Sequence, residues 1–184
     1  VVPDESVDPA ETTGMNYRDI YDYLDREYET AWTKQEFVDW YDEAAETIYG
    51  DQVAVLPGAV GLIADLREAG VAVALVSSSP VDWIETVTDR FGLEFDAVVS
   101  GDEFGGEGKP APDVFRHAAE RLGVDTGKTV AVEDSAHGVE SASRAGMTVV
   151  GFRHGEEPAS DLDAADVVAD SPADLEAFLR DRLA

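Results

Sequence analysis

Three short stretches of the chain place reactive side chains directly behind apolar runs. Ser77, Ser78 and Ser79 follow the run 71–76, a glycine-rich loop after 97–100 ends in Gly108-Lys109-Pro110, and Glu133-Asp134-Ser135 follows the run 129–132. A serine hydroxyl with a helix N-terminus behind it binds phosphate oxygen, because free amide hydrogens and the helix dipole both favour an anion. A lysine ammonium neutralises charge on the same phosphoryl group. Adjacent carboxylates suit Mg2+, a hard ion that takes oxygen ligands. The expected phosphate-binding set is Ser77, Ser78 and Lys109, with Ser77 and Lys109 as the catalytic groups. Glu133 and Asp134 are the expected metal pair.

Plainer roles compete at some of these positions. Ser79 reads as the N-cap of the next helix, Ser135 as the cap of the one after the acidic pair, and His137 as a structural residue at that helix start. A solvated loop role for Lys109 is disfavoured because the chain has only three lysines, Lys34, Lys109 and Lys128. A P-loop is excluded: it needs glycine and Ser or Thr where this chain has Glu103 and Pro110.

The elements that must position these groups follow from periodicity. Residues 1–13 are polar and read as loop. Ile20, Tyr21, Leu24 and Tyr28 share a face at helical spacing and predict a helix over 16–29. Thr33 and Glu36 make a capping box ahead of a second helix, which Gly50-Asp51 is expected to end. The aromatic residues of this pair are expected to pack between the two helices. From Pro57 onward, helix and strand alternate: helix to Gly70, strand 71–76, helix from Ser79-Pro80 to Gly92, strand 97–100, helix 112–122, strand 129–132, helix 136–145, strands 147–152 and 166–169, helix 172–183. That order predicts an α/β fold, a Rossmann-like parallel sheet with helices on both faces, its ligands at the carboxyl ends of the strands.

Composition narrows the partners. The formal net charge is −27, with 40 acidic against 13 basic residues spread along the whole chain. A uniform acidic coat favours solubility in high salt, where self-repulsion is screened. It disfavours nucleic acid, which needs a basic face. No apolar stretch is long enough to span a membrane. Cysteine is absent, which excludes disulfides and thiolate chemistry. The expected setting is a cytoplasmic monomer. The chain opens Val1-Val2-Pro3, with Met15 its first methionine, and is read as part of a longer protein.

Taken together, these motifs resemble the haloacid dehalogenase superfamily, in the helical-cap subgroup that includes β-phosphoglucomutase and phosphoglycolate phosphatase. "LVSSSP", "GKPAPDVF" and "VEDSAHGVESASRAGM" are similar to its second, third and fourth motifs, and "LPGAVGLIADLREAG" to the helix that returns from cap to core. The resemblance spans residues 14–184. It implies a helical cap region over 1–56 and a Rossmann-like core over 57–184. It also implies Mg2+ as cofactor and a small phosphorylated metabolite as substrate. The family's first motif, an Asp-x-Asp whose leading residue is the nucleophile, is not found ahead of the cap, and Asp161-Leu162-Asp163 is misplaced for it. In that family the strand carrying the motif lies between the strands expected at 71–76 and 129–133, so both are expected to lack a neighbour. The implied reaction is phosphomonoester hydrolysis. A phosphomutase is the alternative enzyme, weakened because Tyr17 stands where that branch carries a cap arginine and Arg18 is one residue late. Dehalogenation and a non-catalytic remnant of the fold are further alternatives.

The charge yields one prediction independent of any site. Folding is expected to require high ionic strength. Circular dichroism across a KCl series should show helicity and melting temperature rising towards molar salt; a flat response would contradict the reading.

Overall fold

The computed structural model describes residues 7, 9–28, 30–153 and 162–182. Val1-Val2-Pro3, Asp161, and the expected helix ends at Glu29 and Leu183 lie outside them. Within residues 1–13, Pro9–Thr12 form a helical turn, α1, where loop is expected. Two aromatic helices follow, α2 (Tyr17–Glu27) and α3 (Lys34–Thr47). Asn16 caps α2, and the Thr33/Glu36 capping box is formed. Gly50-Asp51 does not stop the chain's coiling. A π-helical turn, Ile48–Gln52, runs through it, because the Arg90 guanidinium donates to the carbonyls of Tyr49, Asp51 and Val53.

The remaining elements alternate as expected: α4 (Ala59–Glu68), β1 (Ala74–Ser77), α5 (Val81–Phe91), β2 (Ala97–Ser100), α6 (Asp113–Leu122), β3 (Val130–Glu133), α7 (Ala136–Ala145), β4 (Thr148–Phe152), β5 (Val167–Ala169) and α8 (Pro172–Asp181). β1 starts three residues later than expected. Val71 N–H still closes the end of α4 on Leu66, and both backbone groups of Val73 are taken by Asp96. α5 starts at Val81, with Pro80 rather than Ser79 in the cap position. Ser79 is engaged elsewhere: its hydroxyl meets the Tyr49 hydroxyl at 3.0 Å, and its carbonyl accepts from Ser100 Oγ at 2.8 Å.

All strand pairs are parallel, but they form two sheets. β1 pairs with β2, with Ser77 opposite Ser100; β3 pairs with β4, with Glu133 opposite Gly151, and β4 with β5. Among the described residues no strand pairs with the second edge of β1 or of β3. That is why these strands are less buried than a parallel strand usually is: Val132 of β3 is 42% exposed, and all four residues of β1 are only partly buried.

Helices lie on both faces of the larger sheet. Ala131 and Val149 pack with Val139 and Ala142 of α7, whereas the alternate residues Val130 and Val150 pack with Leu175 and Phe178 of α8. α6 joins the α7 layer through Val114, Phe115 and Ala118, which reach Ala74 and Val76 on β1. One continuous apolar layer thus holds the two sheets side by side.

The aromatic helices pack together through Tyr21, Phe37 and Tyr41, with ring centroids 5.6 Å apart in both pairs. They also receive a side chain from the other layer. Trp83 of α5 lies 5.1 Å from Tyr17, 6.0 Å from Tyr41 and 5.2 Å from Tyr49, the last two nearly stacked. Burial holds the Tyr41 phenol above its usual pKa, and burial followed by the nearby Asp42 does the same for Tyr17. Both rings therefore stay neutral. No helix among the described residues is long and apolar enough to cross a membrane.

Phe37 is 3% exposed at the centre of this cluster. Phe37→Ala should lower unfolding stability by about 3–5 kcal/mol, the cost of removing a buried ring without refilling the space. Urea denaturation at fixed KCl measures it; a loss below about 1 kcal/mol would show that the ring does not anchor the helices.

Candidate active site

Lys109 joins the carboxyl ends of β1 and β3, which do not pair with each other: it contacts the Val76 carbonyl, next to Ser77, and the Glu133 carboxylate. Ser77 ends β1. Its Oγ accepts from Ser79 N–H at 3.1 Å, and its carbonyl accepts from Gly101 N–H at 2.7 Å. The hydroxyl hydrogen of Ser77 has no acceptor among the described residues, so it is free to donate to an anion. Ser78 differs. Its Oγ donates to the Gly14 carbonyl at 2.9 Å, which commits its one hydrogen to the segment ahead of α2.

Lys109 reaches in from the loop between β2 and α6. That loop is held by α7: Ser141 Oγ donates to the Ala111 carbonyl, and Arg144 to that of Pro110 at 3.2 Å. The Lys109 ammonium lies 2.5 Å from Glu133 Oε1 and 3.5 Å from the Val76 carbonyl, with the Phe115 ring centroid 5.2 Å away. Both side chains of the ion pair are 8% exposed. A buried lysine fixed by one carboxylate keeps its charge in place and has a further N–H for a ligand.

Glu133 is therefore engaged. Its other oxygen accepts from Ser135 Oγ at 3.4 Å, and Ser135 Oγ in turn accepts from Gly138 N–H at 3.1 Å, capping α7 as expected. Gly138 makes this fit: a Cβ there would fall inside the Glu133 carboxylate. Asp134 is exposed. For Mg2+ the donor chemistry is right but the number is short. Among the described residues no three acidic or histidine side chains cluster, and of the expected pair only Asp134 has an uncommitted carboxylate. His137 sits at the α7 start as expected, with Nδ1 3.1 Å from the Thr13 carbonyl.

Three contributors escaped the sequence reading. Gly138 had no signal other than its place three residues after the capping serine. Asn16 carries the signal of an N-cap before a periodic helix, which does not announce the second use of its amide. Asp102, behind β2, looked like one acid among 40.

The model of the haloacid dehalogenase-like hydrolase family matches residues 6–146. The chain belongs to this family. Among curated haloacid dehalogenase-like relatives, protein CbbY of Cereibacter sphaeroides is 34% identical over 134 residues, covering 67% of this chain and 56% of its own length. Hexitol phosphatase B of Escherichia coli is 34% identical over 117 residues, 62% of this chain and 52% of its own. The chain thus spans about half the length of these relatives. A crystal structure of CbbY from Rhodobacter sphaeroides in complex with xylulose-(1,5)bisphosphate superposes with a TM-score of 0.77 at 24% identity, over 91% of this chain and 80% of that one. That likeness is one of fold, and it agrees with the Rossmann-like α/β architecture.

The ion pair makes a stability prediction of its own. Removing one partner leaves the other charge buried alone, so Glu133→Gln should destabilise by about 3–5 kcal/mol. Adding Lys109→Met should recover most of the loss, because an uncharged pair carries no desolvation cost. Chemical denaturation of parent, single and double variants decides it; a double variant no more stable than Glu133→Gln would contradict the pairing.

Proposed function

We propose that this chain provides the phosphate-binding part of a Mg2+-dependent phosphatase acting on a small phosphomonoester of the sugar- or polyol-phosphate kind. In this reading the region 1–56 is a cap over a core at 57–184. The observation that carries it is the buried Lys109 ammonium, held by Glu133 of β3 and the Val76 carbonyl of β1, the residue before a Ser77 whose hydroxyl hydrogen is free. Lys109 stabilises the charge that develops on the phosphoryl oxygens, and Ser77 orients them. The names of relatives that match about half their length, a hexitol phosphatase among them, support the substrate class. The acidic coat fits a protein working in high salt.

Hydrolysis through an acyl phosphate needs a carboxylate to attack phosphorus and displace the alcohol, before water releases phosphate. We assign that group to an Asp-x-Asp segment extended between β1 and β3, and no turnover to the 184-residue chain alone. The same segment would add the carboxylates that Asp134 lacks as a Mg2+ site, where the ion would neutralise phosphoryl charge. Release of p-nitrophenol from p-nitrophenyl phosphate, assayed with Mg2+ in molar KCl, should not exceed background for this chain; magnesium-dependent turnover would refute the assignment. In a form that supplies the segment, Lys109→Ala should lower kcat by about 10²- to 10³-fold. Ser77→Ala should cost about tenfold or less, as one neutral hydrogen bond. Asp134→Asn should raise the Mg2+ concentration needed for half activity. A Lys109→Ala enzyme close to the parent rate would overturn the site.

A further inference from the structure

The segment 13–18 crosses the loops behind three strands on its way into α2. The Thr13 carbonyl meets His137 at the start of α7, and the Gly14 carbonyl accepts from Ser78 Oγ behind β1. A Cβ on Gly14, which has φ +84°, would collide with the Ser135 hydroxyl, so the segment lies tight against the Glu133 side as well. The densest point of contact is Asn16. Its Nδ2 donates to the Ser78 carbonyl at 3.1 Å and to Asp102 Oδ1 at 2.9 Å, while its Oδ1 accepts from Arg18 N–H at 2.9 Å and caps α2. Both amide hydrogens and the amide oxygen are thereby used. Arg18 Nε adds a second donor to the same Asp102 oxygen at 3.2 Å, and the Asp102 side chain is only 16% exposed.

We propose that Asn16 is a positioning residue: its side-chain amide fixes the loops behind β1 and β2 against each other and against the start of α2, and so holds Ser77 in line with Lys109. The geometry separates this role from helix capping. Capping uses only the Asn16 oxygen, whereas the tether uses only the nitrogen. An aspartate caps as well as an asparagine does, but it cannot donate, and it would face both the Ser78 carbonyl and the Asp102 carboxylate with negative charge. Ser77 is affected through its neighbours, because its carbonyl bonds Gly101, next to Asp102, and its hydroxyl bonds the amide of Ser79, next to Ser78. The consequence for phosphate rests on the phosphatase reading above; the tether does not.

Asn16→Asp, alone and with Asp102→Asn, in the full chain in molar KCl is the test. In the double variant donor and acceptor trade places across the same contact, and a carboxylate at position 16 can still cap α2 and pair with Arg18. Hydrogen exchange should accelerate about tenfold or more at the amides of Ser79 and Gly101 in Asn16→Asp, with Arg18 and β4 unchanged. Asp102→Asn added to it should recover most of the Gly101 protection. Inorganic phosphate, titrated calorimetrically, should bind about tenfold more weakly to Asn16→Asp than to the parent, as expected for a displaced hydrogen-bonding group. Unchanged exchange at Ser79 and Gly101 would mean that Asn16 is only a helix cap. Acceleration of every amide without rescue would mean a general loss of stability. Either result overturns the proposal. A parent chain that binds no phosphate would instead count against the phosphatase reading, and exchange would still decide the tether.

Discussion

Lys109, in the loop after β2, and Glu133, at the end of β3, form an ion pair, and both side chains are 8% exposed. Two charges taken out of water are costly unless their geometry is good and their remaining hydrogen-bonding atoms are matched. Here the matching is local. Ser135 and the Val76 carbonyl take up the other contacts, the Phe115 ring lies near the ammonium, and Gly138 leaves room for the carboxylate. Through Lys109 the pair links the Val76 carbonyl of β1 to Glu133 of β3, strands that do not pair with each other. It fixes the distance between the serine loop and the acidic loop at the point where backbone hydrogen bonds do not.

The layers around the pair serve the same end. α6 and α7 form one apolar surface under both sheets, with Val139, Ala142 and Val149 fully buried. Each such side chain contributes about 1–3 kcal/mol by leaving water. On the other side, Trp83 enters the tyrosines of the helical pair, and the segment 13–18 ties the strand-end loops together. Apolar packing therefore sets the gross arrangement. A few buried polar contacts, each with a defined direction, set the arrangement of the site.

The surface charge acts on a different scale. Most ion pairs other than Lys109–Glu133 join exposed side chains, such as Lys34–Asp22 and Arg180–Asp65. Exposed pairs of this kind contribute between nothing and about 1 kcal/mol each. They offset only part of the repulsion from a net charge of −27. Screening by salt reaches exposed acids and hardly touches a buried pair.

Much of this was legible in the residues. Alternating apolar runs and helical stripes placed every strand and helix of the sheet layer, because period and turn chemistry are local properties. The three strand-end motifs likewise announced Ser77, Lys109 and Glu133-Asp134, since chemistry-bearing residues behind buried runs in parallel sheets share one edge. What they do to one another was decided only in three dimensions. The sequence could not show that Lys109 pairs with Glu133, or that Ser78 spends its hydrogen on Gly14 and Ser79 turns to Tyr49. Nor could it show that Asn16 joins residues 62 and 86 positions away. Those outcomes depend on which donors and acceptors lie within about 3 Å after folding, and distance across a fold is not written in any local window of the chain.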